Sequence, residues 1–139
     1  MKKIVLALLL VSALLSCKEK TTDTGCEDRI CTEEFRSLVI KFVDNKAVTA
    51  EVKDFNVINQ RTGEKVYASS AAASSLIKGS FIIVDDGNTK SLSEAGDDLK
   101  ITGTSVETNQ TKSAIIKVKG GKCACHIEKV SGPEQIAFD

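Results

Sequence analysis

Tryptophan is absent from this chain, and tyrosine and histidine each occur once in 139 residues. Lys+Arg and Asp+Glu balance at 19 each, so there is neither an aromatic stacking platform nor a basic stripe to neutralise phosphates. Nucleic acid is therefore excluded as an expected partner. The lone histidine, His126, is the only side chain that would serve unperturbed as a general base near neutral pH, and no nucleophile stands at a readable spacing from it. Gly-x-Ser-x-Gly, a phosphate loop and His-Glu-x-x-His are all missing. No Cys-x-x-Cys opens a helix, the placement that lowers a thiol pKa for redox work. No catalytic residue and no cofactor are expected. Nor does any apolar run reach the roughly 20 residues that a membrane-spanning helix needs.

The longest apolar run is a dozen residues, Ile4 to Leu15, broken only by Ser12 and preceded by Lys2 and Lys3. A short basic start followed by a run of this length has the form of a secretory signal. It ends Leu14-Leu15-Ser16-Cys17, which resembles the lipobox of bacterial lipoproteins, with Leu15 where a smaller residue is more usual. The resemblance implies removal of residues 1–16 and a lipid-bearing Cys17 as the new first residue. Two or three acyl chains hold a protein on a bilayer where one alone binds only marginally. The 123 residues that remain carry 17 Lys+Arg against 19 Asp+Glu, a net charge of about −2. Residues 17–25 then form the lipidated cysteine and a polar tether, KEKTTDTG, which could reach at most roughly 26–29 Å. Lys18 stands where an aspartate marks inner-membrane retention in enteric bacteria, so the resemblance leans towards the outer membrane of a Gram-negative cell.

From Cys26 to Asp139 the hydrophobic period is two, not 3.6. Leu38, Ile40 and Phe42 share one face of a first strand, and Asp44-Asn45-Lys46 reads as a turn. Val48, Ala50 and Val52 continue as an extended stretch. Phe55 and Val57 have the opposite parity, the shift that a β-bulge near Lys53-Asp54 supplies. Arg61-Thr62-Gly63-Glu64 reads as a hairpin turn, with Val66 and Tyr67 a short return strand. Residues 69–75 are only Ser and Ala and stay undecided. Phe81 to Val84, Leu99 to Val106, Ser113 to Lys119 and Cys123 to Val130 read as further strands, and Ile136 to Phe138 as an edge strand. Asp85 to Asp98 reads as a long exposed loop. About seven strands with frequent turns predict a single all-β antiparallel sandwich over 26–139. That order resembles Ig-like and transthyretin-like sandwiches, the carboxypeptidase regulatory-like domain among them. CTEEFRSLVIKFVD near the start and CHIEKVSGPEQI near the end also resemble small lipoproteins of Gram-negative bacteria, whose known features include no catalytic residues to carry over.

Four cysteines remain beyond Cys17: Cys26, Cys31, Cys123 and Cys125. An even number in an exported domain points to disulfides. Two cysteines two apart in a strand lie some 6–7 Å from each other on one face, too far for the Cβ spacing a disulfide needs. Cys26 and Cys31 should therefore bond Cys123 and Cys125, in either cross-pairing, stapling the first strand to the last. A loop of about 95 residues is worth roughly 4–5 kcal/mol in the chain-entropy model. The competing reading takes the four cysteines with His126 as soft ligands for zinc or copper. It suffers from Cys-x-Cys spacing and from His126 facing away from its neighbours, as a strand residue with one edge in water. Asp85-Asp86 and Asp97-Asp98 offer calcium oxygens but read more simply as solvated turns, as Asn109-Gln110-Thr111 reads as a turn despite its sequon form. The expected role is a non-enzymatic binding or structural module, tied to a membrane through Cys17. It would meet a protein or glycan through end loops, first of all Asp85 to Asp98. The alternative is a metal-handling or thiol-redox protein using the cysteine cluster.

Overall fold

The computed structural model describes residue 26 and residues 30–68 and 77–139. The signal segment, Cys17, the tether and the Ser/Ala stretch lie outside these residues. Among the described residues seven strands follow one another: β1 (Ser37–Val43), β2 (Val52–Asn59), β3 (Ser80–Asp85), β4 (Asp97–Ser105), β5 (Thr111–Lys119), β6 (Glu128–Ser131) and β7 (Gln135–Ala137). They form two packed sheets, β3-β1-β7 and β2-β4-β5-β6. The chain is an all-β sandwich, as its periodicity predicts. The pairing is antiparallel except for β7, which runs parallel to β1 and sets Ile136 opposite Phe42.

Alternation builds the core. In β4 the residues facing inward are Asp97, Leu99, Ile101, Gly103 and Ser105, all buried, while Asp98 and Lys100 are exposed. From the facing sheet come Ile40, Phe42, Ile83, Val84 and Ile136. Phe42 is fully buried and central. Its ring meets Phe81 edge-on at 5.8 Å, Phe55 edge-on at 6.2 Å and Phe138 in a stack at 5.7 Å between centroids. Gly103 sits directly beneath it, and a Cβ there would lie 2.7 Å from both Phe42 Cζ and Val52 Cγ1. The ring fills the space that this glycine leaves.

The parity shift in β2 is real: the pairing with β4 slips between Lys53 and Asn56, and Asp54 takes a φ of 55°. The turn after β2 is also as expected, with Gly63 at a φ of 73° and Gly63 N donating to Asn59 O. Other readings are corrected. The Val66-Tyr67 return is not a strand; one bridge, Ile58 to Lys65, marks its start. Cys123 to Ile127 is a run of turns and bends, and only Glu128–Ser131 pairs as a strand. Asp85 to Asp98 is not an exposed loop. It opens with a 3-10 helix, Asp86–Ser91, whose N-cap Asp85 accepts from Gly87 N while Asn88 reaches back to Asp85 N. Thr89 and Leu92 of this stretch are buried. A polar composition concealed the burial because the polar atoms are satisfied from within the segment and by the chain around it.

Candidate functional site

The two cysteine pairs meet at one end of the sandwich. Cys26 bonds Cys123 with 5.3 Å between Cα atoms, and Cys31 bonds Cys125 with 5.4 Å. This is one of the two cross-pairings that the sequence left open. The bonds do not join the first strand to the last: Cys26 and Cys31 precede β1, and Cys123 and Cys125 lie in the connection between β5 and β6. With all four sulfurs in disulfides, no thiolate is left for a metal, and among the described residues no group of three or more His, Cys, Asp or Glu is placed to hold one.

Beside the disulfides stands Asp86, the first residue of the 3-10 helix, and it joins three parts of the chain. Its Oδ2 accepts from Arg36 N at 2.7 Å and from His126 Nδ1 at 2.7 Å, and its Oδ1 accepts from Ile127 N at 2.8 Å. Its own N–H donates to Arg36 O at 3.0 Å. The start of β1, the end of β3 and the approach to β6 are thus tied to one carboxylate. Burial would raise the Asp86 carboxyl pKa; hydrogen bonds from Arg36, His126 and Ile127 outweigh it and hold the group below its ordinary value. His126 is not a strand residue with one edge in water. Its side chain is 13% exposed, and its Nε2 lies 2.9 Å from Thr32 Oγ1. With ionised Asp86 on Nδ1, that nitrogen carries the proton, and in the neutral ring Nε2 accepts from the Thr32 hydroxyl.

Thr32, His126 and Asp86 have the connectivity of an acyl-transfer triad: hydroxyl, then the far ring nitrogen, then the near nitrogen on a carboxylate. An open cavity of about 440 Å³ adjoins them, lined by Arg36, Glu94, Lys119, Cys123, Cys125 and His126 among others. Such chemistry also needs backbone N–H groups free to bind an oxyanion. Here Gly120 N donates to Ser93 O, Gly121 N to Thr89 O, Ala124 N to Gly121 O and Ile127 N to Asp86. These donors are committed to holding the cavity wall together. The chain matches no protein-family model, no curated protein and no solved structure. The reading of this end therefore rests on its own geometry, and that geometry is of a clasp: among the described residues, two disulfides and the Thr32–His126 hydrogen bond help fasten the segment before β1 to the body.

The second carboxylate of the former loop, Asp97, is buried next to this end. Arg61 Nε donates to its Oδ1 at 2.6 Å and Arg61 Nη2 to its Oδ2 at 2.8 Å, with Asn59 Nδ2 adding 2.7 Å and Ser93 N 3.3 Å. Arg61 Nη2 also reaches Ser91 O at 3.1 Å. The Arg61 guanidinium holds the Asp97 carboxyl below its usual value against desolvation, with Asn59 and Ser93 assisting. Asp98 turns outward, 3.6 Å from Lys117 Nζ, so the Asp97-Asp98 pair does not converge on a shared cation. Asp85 caps the helix while Asp86 serves the clasp, and that pair diverges too. Thr32 and Arg61 were missed in the sequence, and Asp86 and Asp97 were read there as solvated turn residues or calcium oxygens, not as partners of His126 and Arg61. The spacing Asp85-x-x-Asn88 is a local signal that could have shown the cap, but partners 36 to 94 residues away leave none.

Proposed function

We propose that this chain is an envelope lipoprotein: residues 1–16 are removed, Cys17 carries lipid, and the sandwich over 26–139 is a non-enzymatic binding or structural module at a membrane, the outer membrane of a Gram-negative cell. The observation that carries the reading is the double clasp, Cys26 to Cys123 and Cys31 to Cys125. Such bonds persist in oxidising compartments outside the cytoplasm. Their position also suits an anchor. Cys26 follows Cys17 by nine residues, so a pull on the lipid passes covalently into the β5–β6 connection and does not peel β1 from its sheet. The committed backbone donors around His126 favour a binding or structural role over acyl transfer.

A protein or glycan partner would then meet the end remote from the clasp. There the turn after β1 exposes Val48, and the β4–β5 turn exposes Val106. β4 alone sets that end roughly 26–27 Å beyond Asp97. The segment Asp85 to Asp98 loses its place as first contact, since much of it is built into the clasp end. Mass spectrometry of protein extracted from its own membrane tests the anchor. The expected N-terminus is an acylated Cys17; an intact Met1, or unchanged solubility after Cys17→Ala, would refute it.

A further inference from the structure

We propose that a slot on the side of the sandwich, lined from β2 and β3, binds the C-terminal residue of a partner polypeptide: an aliphatic residue with a free carboxylate. The inference goes beyond the anchored module described above and needs neither the lipid nor the end turns. The slot forms where the chain comes back from the turn after β2. Ile58 bridges Lys65, and Val66 N donates to Val57 O at 2.9 Å. Tyr67 and Ala68 make no strand pairing. An open cavity of about 170 Å³ lies there, walled by Phe55, Val57, Val66, Ala68 and Ile82. An apolar cavity of about 150 Å³ takes up a molecule the size of benzene, so this one suits a single leucine or valine side chain.

Two polar groups at the slot call for more than an apolar filler. Asn56 lines it, and Asn56 Oδ1 is buried with no hydrogen-bond partner. An unmatched buried acceptor costs free energy, and native proteins hold few of them. A donor brought by a ligand satisfies it. The Asn amide turns through a broad χ2, so the oxygen can meet a donor in the slot without movement of the backbone. Lys65 is the second group. It is exposed, its Nζ lies 5.2 Å from the centre of the Tyr67 ring, and among the described residues no carboxylate pairs with it. Period two places Asn56 and Ile58 on one face of β2, and Lys65 stands opposite Ile58. Asn56 and Lys65 are therefore diagonal neighbours, within reach of one small ligand.

The slot thus offers an apolar pocket, an acceptor and a cation together. A C-terminal aliphatic residue carries the matching set on one Cα: a side chain, an amide N–H and a carboxylate. Its side chain enters between Val57 and Ile82, its N–H donates to Asn56 Oδ1, and its carboxylate meets the Lys65 ammonium. Capture of a terminal carboxylate is a recurrent way of reading a peptide end. A fatty acid lacks the N–H, and an internal peptide segment lacks the carboxylate.

The test uses the mature chain made soluble by Cys17→Ser and labelled for NMR, with acetyl-glycyl-leucine as the probe. Titration should give saturable amide shifts at Phe55, Asn56, Lys65 and Tyr67, with a Kd of about 1 mM or below. Amidating the probe's carboxylate, or N-methylating its leucine, should each weaken binding by about tenfold, the size of one such contact. Octanoate, a carboxylate on an apolar tail, should bind about tenfold more weakly than the probe for want of the N–H. In Lys65→Met, a change at an exposed residue, the acid and the amide should bind equally. Asn56→Leu should lose the preference for the unmethylated probe while its Tm does not fall, because an unmatched acceptor has left the free chain. No saturable shift, equal affinity for acid and amide in the native chain, or octanoate bound as tightly as the probe would each overturn the proposal. So would an N–H preference that survives Asn56→Leu. A silent titration leaves the lipid anchor untouched, and an unacylated Cys17 in the native protein overturns the lipoprotein reading and leaves the slot.

Discussion

Replacing Gly103 by Ala tests how the core is built. The added Cβ would sit 2.7 Å from Phe42 Cζ, 2.8 Å from Phe42 Cε1 and 2.7 Å from Val52 Cγ1. Carbon atoms in contact prefer about 3.5–4.0 Å, so something must move by close to an ångström. Phe42 has little room, being fully buried and braced by Phe55, Phe81 and Phe138. Gly103 itself lies in the middle of β4, paired with Lys112 of β5 on one side and facing the β2 bulge between Lys53 and Asn56 on the other. Overpacking of this kind costs about 1–3 kcal/mol, against which alanine in a strand regains about 0.5–1 kcal/mol of the glycine entropy. The expected outcome is a net loss of about 1–2 kcal/mol, a fall in Tm of roughly 4–16 °C for a domain of this size. Urea unfolding followed by circular dichroism reads it directly. Trimming the ring with Phe42→Leu in the same chain should recover part of the loss, giving a coupling of about 0.5 kcal/mol or more between the two sites. Wild-type stability in Gly103→Ala, or strict additivity in the double variant, would show that the ring does not fill the space above this glycine.

The remaining predictions concern the clasp end. Asp86 and Asp97 are stronger acids in the folded chain than in the unfolded one. Below about pH 4 the unfolded chain therefore binds more protons, so their stabilisation is present above that pH and is lost as pH falls through the folded values. The urea midpoint should fall as pH drops below about 4, and Asp97→Asn should flatten that fall; an unchanged slope in the variant contradicts the assignment. Asp86→Ala should cost about 1–3 kcal/mol, because it strands the Arg36 and Ile127 N–H groups and the His126 ring. In hydrogen exchange its effect should concentrate on Arg36 and Ile127, and a loss spread evenly over the strands would speak against the carboxylate as a local tie. Non-reducing peptide maps should yield Cys26 with Cys123 and Cys31 with Cys125; a Cys26–Cys31 peptide or four free thiols would refute the pairing.

The fold class could be read along the chain, because alternation in a strand is local: Leu38, Ile40 and Phe42 must share a face whatever they pack against. For the same reason the sequence carried the β2 bulge, in the changed parity between Val52 and Phe55, and the turn at Gly63. The cysteine count and spacing already joined residues 26 and 31 to residues 123 and 125, although the strand assumed for Cys123 to Val130 is mostly turn. Which cross-pairing forms depends on how the folded segments meet: Cys26 with Cys123 and Cys31 with Cys125. Only in the folded chain does Asp85 to Asp98, polar enough to read as a loop in water, become a capped helix with buried carboxylates. The reason is the same in each case. A buried charge is acceptable when its partner arrives, and Arg61 meets Asp97 across 36 residues while His126 meets Asp86 across 40. Hydrophobic period and turn chemistry act within a few residues and are written along the chain. The pairing of distant polar groups is set by which strands lie side by side, and that arrangement exists only once the sheets have closed on one another.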